Sequence, residues 1–238
     1  MDEINSFKKG LKDGLPIAIG YLSVSFAFGI FAVENGLTVF QAVIISLLNL
    51  TSAGQLAAVP IIAGGGTLVE LALSQLVINS RYSLMSISLS QKLSKKVKLP
   101  QKLLIAYGNT DEIFAVSVSN NREVGTKYML GIILLPVIGW TSGTLLGAVM
   151  GNILPPIVTA ALGVAIYGMF VAIVMPVAKK EKMTALCVLL AIAISCAFRY
   201  IPLLKAVPSG FTVIICAVVA SVIFAIIAPV KTEEKEEA

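Results

Sequence analysis

Three short stretches hold most of the residues capable of chemistry: "TSAGQ" at 51–55, "QLVINSRYSLMS" at 75–86 and "NTDE" at 109–112. Each interrupts a run of apolar residues. The middle stretch places Gln75, Asn79, Arg81 and Tyr82 close together on one segment. A charged side chain at the centre of a bilayer costs about 2.5–3.5 kcal/mol even on lenient insertion scales, so Arg81 requires compensation. At about 100° per residue, Gln75, Asn79, Tyr82, Ser86 and Ser90 form one polar stripe, and Glu70, Ser74, Arg81 and Ser88 form a second. Arg81 is therefore expected to point away from Asn79. Two outcomes stay open for it: snorkelling to the inner interface, or pairing with an acid. Glu70 lies about 16 Å away along the same helix, which leaves Asp111 and Glu112 as partners. Such a pair can be charge-assisted and bidentate, and its opening would let a proton reach the acid.

The "TSAGQ" stretch implies a different chemistry. A helix broken inside a membrane frees backbone amides and carbonyls, and its half-helix ends present partial charges to a ligand. A zwitterionic amino acid needs donors for its carboxylate and acceptors for its ammonium. Thr51, Ser52, Gly54 and Gln55, with Gln75, Asn79 and Tyr82 from the polar stripe, are the candidate substrate-binding residues. Arg81, Asp111 and Glu112 are the candidates for an ion pair or for coupling.

Catalysis finds no support. The chain has no histidine, which removes zinc sites of the H-E-x-x-H type and any Ser-His pair. There is no P-loop, every Lys sits at or beyond the end of an apolar run, and Asp111 is the only Asp after Asp13. No catalytic residue, metal site or cofactor is expected.

The elements that position these residues follow from composition. Of 238 residues, 57% are hydrophobic and only 13% charged, about half the charge of a soluble domain. Apolar runs at 17–33, 39–63, 68–89, 128–150, 157–178, 184–198 and 211–230 approach the ~20 residues of a membrane-crossing helix, and they do not alternate as barrel strands do. The class is an all-α polytopic membrane protein. Lys8, Lys9 and Lys12, the cluster Lys92, Lys95, Lys96, Lys98 and Lys102, then Lys179, Lys180, Lys182 and Lys231 mark cytoplasmic segments. These lysines report topology rather than nucleic-acid binding. An odd number of crossings between Glu34 and Gln91 satisfies them only if 39–63 dips in and returns to its own side. The same reasoning makes 103–119 re-entrant. The expectation is about six full spans plus two broken elements with both termini cytoplasmic; seven or eight full spans is the alternative. Residues 1–230 read as one transmembrane domain that retains its first span, and 231–238 as a charged tail.

Gly139, Gly143, Gly147 and Gly151 recur every fourth residue and predict a smooth helix face for close packing. Cys187, Cys196 and Cys216 have neither metal-ligand nor disulfide spacing and read as small apolar residues.

The interrupted "TSAGQ" with its following apolar run and Gly-rich turn, "NSRYSLM" at 79–85 and "TDEIFAV" at 110–116 together resemble the AzlC family, the large subunit of bacterial branched-chain amino acid exporters. Thr51 and Ser52 stand where that family usually has Ala-Gly, and Tyr82 where His is common. The resemblance implies a secondary transporter in the bacterial cell membrane that exports Val, Leu, Ile or Met. It also implies the proton as driving ion and a small AzlD-type membrane subunit as partner. A channel for small polar solutes, lined by the same stripe, is the competing reading.

Overall fold

The computed structural model describes residues 5–151, 153–155, 157–158, 168, 171 and 174–228. Among these residues every regular element is helical, apart from one isolated bridge between Leu93 and Val124. More than half of the expected span at 157–178 lies outside the described residues, as does all of the tail 231–238 with Lys231.

The frame is a pair of long helices, α1 (Phe7–Glu34, 28 residues) and α7 (Thr126–Gly151, 26 residues). They run parallel and in close contact: Gly10 faces Tyr128, Gly139 faces Ala18, Gly143 faces Leu22 and Gly147 faces Phe26. A methyl group added at Gly147 would lie 1.9 Å from the carbonyl oxygen of Phe26. The four-residue glycine repeat thus brings two backbones together, as small residues do at membrane helix interfaces.

Between α1 and α7 lie two hairpins and one long helix. The first hairpin is α2 (Val39–Leu48) and α3 (Ser52–Ala63), broken at 49–51. Val39, Ala42, Ile45, Leu56 and Val59 all join one apolar cluster with Phe28, Ala32 and Ala148. Both outer ends of the hairpin therefore sit at the end of the frame where α1 and α7 finish. Helix α4 (Leu68–Lys92, 25 residues) then runs back the other way, and Leu89 joins a second cluster with Ile17, Tyr128, Met129 and Ile132. The second hairpin is α5 (Leu99–Tyr107) and α6 (Asp111–Val118), broken at 108–110. Its Ile105, Ile113, Phe114 and Val116 belong to that same second cluster. The hairpins thus enter from opposite ends, and their tips meet where the Tyr107 hydroxyl donates to the Leu47 carbonyl.

The local signals repeat along with the topology. Each hairpin opens with a Gln at the third helical position that accepts from the preceding cap N–H: Gln41 from Thr38 at 2.8 Å and Gln101 from Lys98 at 2.9 Å. Each second arm has a Thr N-cap, Thr51 or Thr110. Helix α1 with the first hairpin and α4 with the second form two units of opposite direction, the inverted-repeat plan known from many secondary transporters.

The described chain ends with α8 (Lys182–Tyr200), a 3-10 turn (Pro202–Ala206) and α9 (Ser209–Ile227). Helix α9 leans on α3 and α4. Its buried start is held by Glu70, whose Oε1 accepts from the Gly210 N–H at 2.8 Å. Among the described residues α1, α7, α8 and α9 are long and apolar enough to cross a membrane. Helix α4 spans about 37 Å by rise but carries too many polar residues to join them.

Candidate functional site

The two tips divide the interior into two cavities. The larger, about 550 Å³, lies beside the N-terminal ends of α3 and α6, with Ser52, Ala53, Asp111 and Glu112 in its wall. Pro16, Ile17, Gly20, Tyr21 and Val24 from α1, Ile78, Arg81 and Tyr82 from α4, and Trp140 from α7 complete it. The smaller, about 260 Å³, lies beside the C-terminal ends of α2 and α5. Leu50, Tyr82 and Thr110 line both.

In the larger cavity Arg81 Nη1 lies 2.5 Å from Asp111 Oδ2. Both side chains are 45% exposed, so the pair opens onto the cavity and keeps part of its hydration. Arg81 does not keep to a separate face from Tyr82, contrary to the stripe geometry. Its Nη2 donates to the Tyr82 hydroxyl at 3.3 Å, and the guanidinium stacks 4.8 Å from the ring centroid, a cation–π arrangement. The helical wheel gives the direction of Cβ, and a long side chain folds back from it. Glu112 is not the partner of Arg81. It accepts from the Tyr21 hydroxyl, whose oxygen also lies 2.7 Å from Thr110 Oγ1. Tyr21 in turn meets Trp140 edge to face at 5.2 Å.

The substrate-binding candidates separate into three groups. Ser52 and Tyr82 reach the larger cavity, and Thr51, Asn79 and Tyr82 the smaller. Gln55 reaches neither. It is fully buried, its Nε2 donates to Ser46 Oγ at 3.2 Å, and its Oε1 accepts from Trp140 Nε1 at 3.0 Å. Ser46 and Thr144 share a further bond of 2.7 Å. The Gln55 amide thus ties the first hairpin to α7, away from both cavities. Gly54 and Gln75 line neither cavity and bond to each other. Gln75 Nε2 donates to the Gly54 carbonyl at 2.9 Å, and Gln75 Oε1 accepts from Asn79 at 3.2 Å and Asn49 at 3.5 Å. A Cβ on Gly54 would stand 2.5 Å from that oxygen, so glycine is what lets α4 approach the break.

Sequence reasoning missed Tyr21 and Trp140 and named Asn109 only as part of "NTDE". Both aromatics carry a polar tip within an apolar stretch of helix, and such tips find a hydrogen-bond partner when buried. That signal was available.

This is the architecture of a multi-pass helical membrane protein with two broken hairpins. The AzlC protein model matches residues 16–154, the stretch holding both hairpins and α7. The chain therefore belongs to the AzlC family. It is 33% identical over 190 residues to inner membrane protein YgaZ of Escherichia coli, covering 77% of each chain. An uncharacterized membrane protein of Archaeoglobus fulgidus is 33% identical over 181 residues, 75% of this chain and 79% of that one. The branched-chain amino acid transport protein AzlC of Bacillus subtilis is 23% identical over 180 residues, 74% of this chain and 70% of its own. No solved structure matches the chain.

Proposed function

We propose that the protein is the large subunit of a secondary transporter that exports branched-chain or similar apolar amino acids, and that the larger cavity is its substrate site. One observation carries this reading: a cavity of mainly apolar lining that gathers one guanidinium and two carboxylates at a single point. Its volume falls within the ~300–1,000 Å³ of small-molecule sites. The amino acid carboxylate goes to Arg81 and the N-terminal end of α3, where a helix is electropositive. The ammonium goes to Glu112, which has no cationic partner among the described residues. The aliphatic side chain lies against Ile17, Val24, Leu50 and Ile78.

In this reading the basic end of the frame is cytoplasmic, as are both termini. A proton reaching Glu112 supplies the coupling. A small AzlD-type subunit completes the exporter, with residues 1–230 as one transmembrane domain. The relative named for branched-chain amino acid transport supports the substrate class and favours transport over catalysis. Leu50, Tyr82 and Thr110 stand between the cavities, which favours a carrier over an open pore.

The test is counterflow in proteoliposomes containing this protein and its small partner, with labelled Val, Leu, Ile and Met. Saturable uptake against the label's own gradient is expected. Uptake no greater than in protein-free vesicles, or equilibration without counterflow, overturns the reading.

A further inference from the structure

The smaller cavity has a chemistry opposite to that of the larger. No Asp, Glu, Lys or Arg lines it. Leu48 is the last residue of α2 and Tyr107 the last of α5, and both line it. The hydrogen bond from the Tyr107 hydroxyl to the Leu47 carbonyl shows that these two helix ends meet. The final carbonyls of a helix lack partners within it, and each C-terminus carries roughly half a negative charge. Two such ends converge on one small space.

Several side chains around that space spend a donor on one another. Asn49 and Asn79 each direct one N–H onto Gln75 Oε1. Thr51 spends its hydroxyl proton on Asn79 Oδ1 at 2.8 Å. Asn109 is only 4% exposed, and its Nδ2 lies 3.5 Å from Ser86 Oγ. Its Oδ1 is buried without a hydrogen-bond partner. A buried acceptor left unmatched is costly, and a cation beside it would offset that cost.

We propose that the smaller cavity is a binding site for a monovalent cation of the sodium class, held by Asn109 Oδ1, the hydroxyl oxygens of Thr51 and Thr110, and the carbonyls of Leu48 and Tyr107 at the last residues of α2 and α5. Oxygen ligands suit a hard cation. Calcium and magnesium sites draw on carboxylates, and the lining has none. Half-helix C-termini and unwound carbonyls are the groups that hold coupling cations in other transporters built on inverted repeats. The site shares the wall of Leu50, Tyr82 and Thr110 with the proposed amino acid site but does not rest on its assignment.

The experiment uses the full chain, purified in detergent without amino acid. Equilibrium binding of radioactive sodium ion is measured beside thermal unfolding in sodium chloride and in choline chloride at equal ionic strength. Saturable binding and a higher melting temperature in sodium are expected. Asn109→Ala weakens binding at least about tenfold, whereas Asn109→Asp, which keeps the shape and adds a negative charge, preserves or tightens it. Equal behaviour in sodium and choline overturns the proposal, as does sodium binding indifferent to both substitutions. Because no amino acid is present, a failure of the transport reading leaves this result standing, and the reverse also holds.

Discussion

The two hairpins share a plan and differ in charge. Each begins with a Gln that closes on its cap, breaks after about ten residues, and restarts behind a Thr. At the restart the first hairpin has Ser52 and Ala53 where the second has Asp111 and Glu112. The first is pinned to α7 through Gln55 and Ser46. The second meets α1 and α4 through Glu112 and Asp111. The difference teaches that the fold needs only the break and its caps. Both restarts line the larger cavity, and only the second brings charge to it.

The largest expected effect tests that division directly. Glu112→Gln should lower transport by about a hundredfold, as loss of the carboxylate proposed to hold the substrate ammonium and the proton would do. Ser52→Ala should change it by no more than about threefold. Comparable effects of the two in initial-rate assays would erase the distinction between the tips. Next is Gln55→Leu, which strips Trp140 Nε1 of its partner and leaves Ser46 Oγ with Thr144 alone. It should destabilise the protein by about 2–4 kcal/mol, read as a lower melting temperature, with KM unchanged in the protein that survives. A raised KM at unchanged stability would return Gln55 to the binding site.

Arg81→Gln comes third. The pair is half-exposed, so its cost falls between those of surface and buried ion pairs, about 1–3 kcal/mol. Adding Asp111→Asn should recover most of that stability without recovering transport, while adding Glu112→Gln should not recover it. Equal rescue by both would contradict the separate partnering of the two acids. The smallest effect is that of Tyr21→Phe, about 1 kcal/mol for one hydroxyl. It should raise KM several-fold while leaving expression and melting temperature nearly unchanged.

Much of this arrangement can be read from the chain before any coordinates. Five small polar residues in and around "TSAGQ" cannot sit in lipid as an unbroken helix, and the five lysines after Leu89 restrict how often the chain crosses. Both arguments use local composition, and the breaks at 49–51 and 108–110 follow from them. The direction of each polar group was harder to read. Gln55 turns to Trp140 and Arg81 folds onto Tyr82 because of what packs beside them, and a helical wheel carries no information about a neighbour distant in sequence. The acid that binds Arg81 is Asp111 rather than Glu112 for the same reason: Tyr21, on α1, has taken the other carboxylate.

The parallel packing of α1 with α7 has a consequence for how the protein is made. Chains emerge from the ribosome N-terminus first at about 5–20 residues per second, so Trp140 and Thr144 follow Gln55 by roughly 4–18 s. During that interval the amide of Gln55 and the hydroxyl of Ser46 lack their eventual partners, and α1 has no glycine face to close against. The nascent hairpin has to wait at the lipid boundary or within the insertion machinery until α7 is delivered. A ribosome stalled ahead of Thr126 would therefore leave a half-inserted chain exposing unmatched polar groups to hydrocarbon, a natural substrate for membrane quality-control proteases.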